Sequence, residues 1–219
     1  MRQKAFIFDL DGVIVDTAKY HFLAWKELAE HLGFDFTEEQ NELLKGVSRV
    51  RSLEILLELG GVELTPAEKD KFLEEKNEQY LKYISKMKTD EILPGIEDLL
   101  NFLKKENIRF ALGSASKNAR LILQNLNLLD LFDAIVDGND VSTAKPDPEV
   151  FLIAAEKLDA DPADCIVVED ALAGIQAART AGMTTVAIGD PEVLVGADFN
   201  LKGTEELTVD FARKLFEQT

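Results

Sequence analysis

Apolar and β-branched residues gather in short runs at Ala5–Phe8, Ile108–Leu112, Ala134–Val136, Ile166–Val168 and Thr185–Ile188. Such runs carry little polar alternation, as strands buried on both faces do. Most end in a polar or glycine turn that leads into apolar residues at helical spacing, which predicts helices over Gly95–Lys105, Asn118–Leu126, Pro148–Leu158 and Leu172–Ala181. Strand followed by helix, repeated, predicts a parallel sheet with helices on both faces. Residues 17–88 break the repeat, because their pattern is helical throughout. Within them, Thr65-Pro66-Ala67-Glu68 reads as a helix start, with a capping threonine, proline in the first turn and glutamate at the third position. The expectation is an α/β core formed by residues 1–16 and 89–219. An α-helical cap of residues 17–88 is inserted as a lid, through linkers near Asp16–Thr17 and Lys88–Ile92.

Candidate chemistry lies where the apolar runs stop, at the strand ends where ligands bind in open parallel sheets. Phe6-Ile7-Phe8-Asp9-Leu10-Asp11-Gly12 delivers two carboxylates to a glycine turn. Side chains two apart in a strand share a face, so Asp9 and Asp11 can serve one site. Asp9 is the candidate nucleophile, able to form an acyl phosphate, and Asp11 the candidate proton carrier. The plainer reading of either is a turn or capping aspartate. Glu169-Asp170, after Ile166-Val167-Val168, adds oxygen ligands of the kind magnesium prefers. Asp170 is the expected direct ligand, Glu169 acts directly or through water, and Asp9 and the Asp11 carbonyl complete the set. Gly113-Ser114-Ala115-Ser116-Lys117-Asn118 runs from a strand end into a helix start, where hydroxyls and free N–H groups would cradle an anion. Lys145, before Pro146-Asp147-Pro148, is placed to neutralise charge on a transferring phosphoryl group.

Charge sharpens this reading. Forty-one acidic against 24 basic side chains give a net charge of −17. Such a chain repels nucleic acid and anionic lipid, so any phosphate site must rest on a few placed cations. No apolar run is long enough to span a bilayer, and the start lacks a signal-peptide pattern. A cytoplasmic location is expected. The single Cys165 lies inside an apolar run and reads as a small core residue, not a nucleophile.

Asp9-x-Asp11-Gly12, Ser114, Lys145-Pro146 and Glu169-Asp170, in that order, resemble the haloacid dehalogenase superfamily over nearly the whole chain. Within it, the sequence is similar to the β-phosphoglucomutase family. The resemblance implies a Rossmann-like core with a helical cap and a magnesium-dependent aspartyl-phosphate mechanism. Its expected substrates are small sugar phosphates, β-glucose 1-phosphate and glucose 6-phosphate, handled by a monomer. It also implies roles in the cap. His21, which shares a helix face with Trp25, would help to position Asp11. Lys45-Gly46-Val47-Ser48-Arg49 would form a specificity loop, with Arg49 holding the phosphate that is not transferred. Lys76 would enter a cleft, and Ser52, Ser116, Lys117 and Asn118 would contact sugar or distal phosphate. The bland reading of His21 and Trp25 is a packed core pair, and of Arg49 a surface cation. Ala171 departs from the serine many relatives carry, removing a hydroxyl near the metal site. A sugar-phosphate or phosphoglycolate phosphatase would share every core residue, and a silent sugar-phosphate sensor would not need Asp9 intact.

Overall fold

The computed structural model describes residues 4–44 and 47–218. The chain divides into two compact units, Met1–Asp16 with Lys88–Thr219, and Thr17–Met87.

The first unit holds a six-stranded parallel sheet: β1 Ala5–Phe8, β2 Phe110–Gly113, β3 Ala134–Val136, β4 Cys165–Glu169, β5 Thr184–Ile188 and β6 Phe199–Leu201, in the order β3-β2-β1-β4-β5-β6. From β1 the chain builds outward through β2 and β3, then returns to lay β4 on the other side of β1. The reversal between β1 and β4 opens a crevice at their carboxyl ends.

Every residue of β1 is buried, and its two faces meet different helices. Ala5 and Ile7 pack with Val150, Phe151 and Ala154 of α7 (Glu149–Lys157) and with Ala177 and Ala178 of α8 (Leu172–Thr180). Phe6 and Phe8 stack on the opposite face, and Phe216 of α9 (Val209–Gln218) meets Phe6 edge-on.

One local device returns the chain to the sheet after four of the helices. At the end of α5 (Ile96–Lys105), Asn107 takes a left-handed φ of 55°. Asn107 N–H then donates to Lys104 O and Ile108 N–H to Leu103 O, the Schellman arrangement that satisfies orphan carbonyls. Asn127 after α6 (Ala119–Asn125), Asp159 after α7 and Gly182 after α8 repeat it. This explains why β2 starts at Phe110, later than its apolar run: Ile108 is used to end α5. The apolar pattern also left β6 and α9 unnamed. β6 is a three-residue edge strand with Asn200 exposed at its centre, too short to show a period.

The second unit contains α1 Ala18–His31, α2 Glu38–Asn41, α3 Arg49–Gly60 and α4 Pro66–Ile84 around a core of Trp25, Leu28, Ala29, Phe36, Leu53, Leu56 and Phe72. The Thr65–Glu68 capping box and Pro66 open α4 as expected. Among the described residues, no helix is long and apolar enough to cross a membrane.

Candidate active site

Asp9 follows the last residue of β1, its N–H still donating to Val168 O of β4 at 2.9 Å, and the chain then turns. The turn is tighter than strand alternation predicts. Asp11 N–H folds back to donate to Asp9 Oδ2 at 2.9 Å, so the two carboxylates are related by a side-chain-closed turn, not by an extended strand. Gly12 makes the next step possible. It has a φ of +74°, and a Cβ there would lie 2.0 Å from Asp170 Oδ2. No other residue type leaves room for that carboxylate.

Beside β1, the end of β4 supplies Glu169 and Asp170. Asp9, Glu169 and Asp170 each offer an oxygen within 4.8 Å of the others. The Asp11 carboxylate is not in this trio. Ala171 N–H donates to Glu169 Oε1 at 3.1 Å, a backbone contact that orients this carboxylate whichever side chain stands at 171. Gly174 leaves space for the other oxygen, since a Cβ there would lie 2.0 Å from Glu169 Oε2.

Lys145 compensates the crowded negative charge. Its ammonium donates to Asp9 Oδ1 at 2.5 Å, Glu169 Oε2 at 2.8 Å and Gly113 O at 3.1 Å. The Phe151 ring lies 4.7 Å from it, and the Lys145 side chain is only 7% exposed. Burial alone would favour the neutral amine, but the Asp9 and Glu169 charges outweigh it and hold Lys145 protonated well above the ordinary range. The acids also shift upward, which for a carboxyl favours the neutral form. Burial, then the Asp9 charge, pushes Glu169 up to about 7. Burial, then the charges of Glu169, Asp9 and Asp11, pushes Asp170 up to about 8. One ammonium is too little for these carboxylates. Their all-oxygen donor set fits a hard divalent cation, which would relieve the repulsion.

Ser114 is buried just past β2, the third segment at this end of the sheet. Two of the amides expected to be free for an anion are engaged: Ser116 N–H donates to Ser114 Oγ at 3.1 Å and Asn118 N–H to Ser116 Oγ at 3.3 Å. The hydroxyls thus shape the loop, and the cradle is narrower than the sequence alone implies. Gly138 N–H to Ser116 O and the Asn139 side-chain amide to Lys117 O, 3.2 and 3.0 Å, pin this loop to the one after β3. Ala115 and Lys117 are exposed, while Ser116 and Asn118 are half-buried.

In the helical unit, a second cluster forms on α1 and α4. Lys76 Nζ lies 2.8 Å from His21 Nδ1, 4.4 Å from the Trp25 ring centre and 5.0 Å from that of Tyr80. His21 stacks on Tyr80 at 4.1 Å. Lys76 is 4% exposed, so its ammonium does not reach outward to solvent as a lysine on an apolar face commonly does. An ammonium can only donate, so Nδ1 accepts and the His21 ring proton sits on Nε2. Burial first, then the Lys76 and Arg49 charges, lowers His21 well below its ordinary value and keeps the ring neutral.

Arg49 opens α3 half-buried, and burial lowers its pKa. Ser48 caps α3, its hydroxyl accepting from Arg51 N–H at 3.3 Å, a local structural task the sequence reading did not foresee. Ser52 is buried and Val47 exposed. Lys45 and Gly46 lie outside the described residues. Sequence reasoning also missed Tyr80, Phe151 and the Gly113 carbonyl. An aromatic four residues beyond Lys76 on the same helix face was the available signal for Tyr80.

The chain is similar to known proteins over most of its length. The haloacid dehalogenase-like hydrolase family model matches residues 3–182. The chain is 49% identical over 217 residues to β-phosphoglucomutase of Bacillus subtilis, covering 98% of this chain and 96% of that protein. It is 33% identical over 186 residues to the phosphorylated carbohydrates phosphatase of Thermotoga maritima, covering 84% and 83%. Its fold is similar to the crystal structure of β-phosphoglucomutase from Clostridium difficile, with a TM-score of 0.91 and 43% identity over 100% of this chain and 98% of that one.

Proposed function

The chain belongs to the haloacid dehalogenase-like hydrolase family, and from that premise we propose that it is a magnesium-dependent phosphomutase interconverting β-D-glucose 1-phosphate and glucose 6-phosphate. The route runs through an aspartyl phosphate on Asp9 and β-glucose 1,6-bisphosphate. The observation that carries phosphoryl transfer is the Lys145 ammonium held between Asp9 and Glu169, with Asp170 beside them.

In the proposed cycle an Asp9 oxygen attacks one phosphorus of the bisphosphate. The bond from phosphorus to the sugar oxygen breaks, and Asp11 gives its proton to that departing oxygen. In the return half, Asp11 takes the proton from a sugar hydroxyl as its oxygen displaces Asp9 from phosphorus. The Asp11 N–H and the Lys145 ammonium hold the Asp9 carboxylate in one orientation, so little reorganisation precedes attack. Lys145 and Ser114 stabilise the transferring oxygens. Asp9, Glu169, Asp170 and the Asp11 carbonyl would hold magnesium, which when bound would supply charge neutralisation for the phosphoryl oxygens. Arg49, whose planar fork suits two phosphate oxygens, takes the phosphate that is not transferred, with Lys117 assisting. His21, neutral and donating from Nε2, orients Asp11. The Thr17–Met87 unit serves as the cap.

A phosphatase of sugar phosphates would use the same core groups, and the Thermotoga relative keeps that reading in play. The higher identity to the Bacillus mutase, over more of the chain, favours isomerisation. The test supplies each anomer of glucose 1-phosphate with magnesium and a trace of bisphosphate, following glucose 6-phosphate and inorganic phosphate together. Glucose 6-phosphate should form from the β anomer far faster than phosphate is released. Faster phosphate release overturns the mutase reading in favour of the hydrolase.

A further inference from the structure

Lys145 must place a flexible four-carbon arm accurately, yet it rides on a connection without regular structure between β3 and α7. Residues 142–144 of that connection are exposed, so their own packing does little to hold them. What holds them is the first residue of α7. The Glu149 carboxylate accepts from Thr143 N–H at 2.7 Å and Ser142 N–H at 2.9 Å. It also accepts from the Ser142 hydroxyl, at 2.9 and 3.0 Å. Inside the closed loop, Asp147 N–H donates to Ala144 O at 3.1 Å and Glu149 N–H to Asp147 Oδ1 at 3.0 Å. Lys145 therefore sits in a small turn, and the ends of the surrounding loop are tied together by one carboxylate.

A glutamate opening a helix has a plainer explanation in the helix dipole. That explanation does not require the side chain to reach back six and seven residues. The donors on Thr143 and Ser142 hold the Glu149 carboxyl below its usual range, consistent with a carboxylate committed to these amides.

We infer that Glu149 is a positioning residue whose clamp on Ser142 and Thr143 sets the Lys145 ammonium between Asp9 and Glu169, and so controls the rate of phosphoryl transfer. The inference rests on the reading of Lys145 given under the proposed function. Its effect is on placement, and misplacing a reacting group by about 1 Å can cost on the order of a hundredfold.

The experiment is a double-mutant cycle in the full chain, measuring mutase kcat and KM. With Lys145 present, Glu149→Ala should lower kcat roughly ten- to a hundredfold with little change in KM. In the Lys145→Ala background the same change should cost less than about twofold. Glu149→Gln, which keeps an acceptor oxygen, should recover part of the loss, and it carries the cycle if Glu149→Ala does not fold. As a readout independent of turnover, the nitrogen-15 signal of the Lys145 ammonium should be present in the unmodified protein and broadened in Glu149→Ala. Equal losses in both backgrounds, an unimpaired Glu149→Ala, or an unchanged ammonium signal overturn this inference alone. A fully active Lys145→Ala overturns the proposed role of Lys145 and this inference with it.

Discussion

Two buried lysines, one in each unit of the chain, are held by opposite means. Lys145 lies between the carboxylates of Asp9 and Glu169. Lys76 lies against the rings of Trp25 and Tyr80 and on an imidazole nitrogen. The first arrangement spends an ammonium on neutralising acids that would otherwise repel one another. The second uses ring faces, which attract a cation by their quadrupole without needing a formal counter-charge. The difference teaches what each site is prepared to receive. The sheet site buries several carboxylates around one ammonium, and burial first, then their mutual repulsion, raises Glu169 and Asp170, a strain that a further cation would relieve. The helical cluster of Lys76, Arg49 and a neutral His21 leans positive, and is prepared for an anion.

The harshest way to test the sheet site is Asp9→Asn, which removes both the nucleophile and one of the Lys145 partners. Turnover should fall on the order of 10^4-fold or more, and the hydroxylamine-labile phosphate label on the enzyme should vanish. A persistent label would break the assignment. Next comes the direct confrontation of the two lysines. Lys145→Met leaves buried carboxylates facing one another and should cost about 3–5 kcal/mol in urea unfolding at neutral pH, with kcat down about a hundredfold or more. Lys76→Met places an apolar chain among aromatic rings and should change stability by less than about 1.5 kcal/mol. Equal destabilisation by the two would erase the contrast.

Metal removal has a smaller, graded effect on stability. Glu169 and Asp170 titrate at about 7 and about 8 in the fold, above their unfolded values near ~4. Protons thus bind the folded form more tightly. The stability they contribute is complete below the unfolded values and is lost as pH rises through about 7 and about 8. Chelated protein should therefore gain more in melting temperature from added magnesium near pH 9 than near pH 6, where protons already do the neutralising. An equal gain at both would sever the link between the carboxyls and the ion. Chelation should also stop turnover. The mildest expectation concerns His21. Its ring should stay neutral with the proton on Nε2 through the pH range in which an ordinary histidine gains its second proton, read from imidazole nitrogen shifts. Lys76→Met should let its titration move up toward the ordinary value, and a midpoint near 6.5 before that change would contradict the Lys76 contact.

The legible and illegible parts of this molecule separate by range. The Schellman turns show the boundary well: Asn107, Asn127, Asp159 and Gly182 are residue types that accept a positive φ, yet nothing nearby revealed that Ile108 would serve the helix end and not the strand. The serine loop shows it again. Ser114 and Ser116 were visible as hydroxyls beside a helix start, but their capture of the next amides is a matter of backbone path. Glu149 carries no signal in the sequence, because its partners lie in a loop with no period to read.

By itself the order of residues determined the alternation of strand and helix, the helical interval from residue 17 to 88, and which acids and lysines stand at strand ends, because periodicity and turn chemistry act between near neighbours. Only the tertiary structure decided that Lys145 bridges Asp9 and Glu169, that Asp170 closes over Gly12, and that Lys76 shelters among rings. Those are distances between side chains far apart along the chain. They follow from strand order and burial, where electrostatics and close packing set the outcome together.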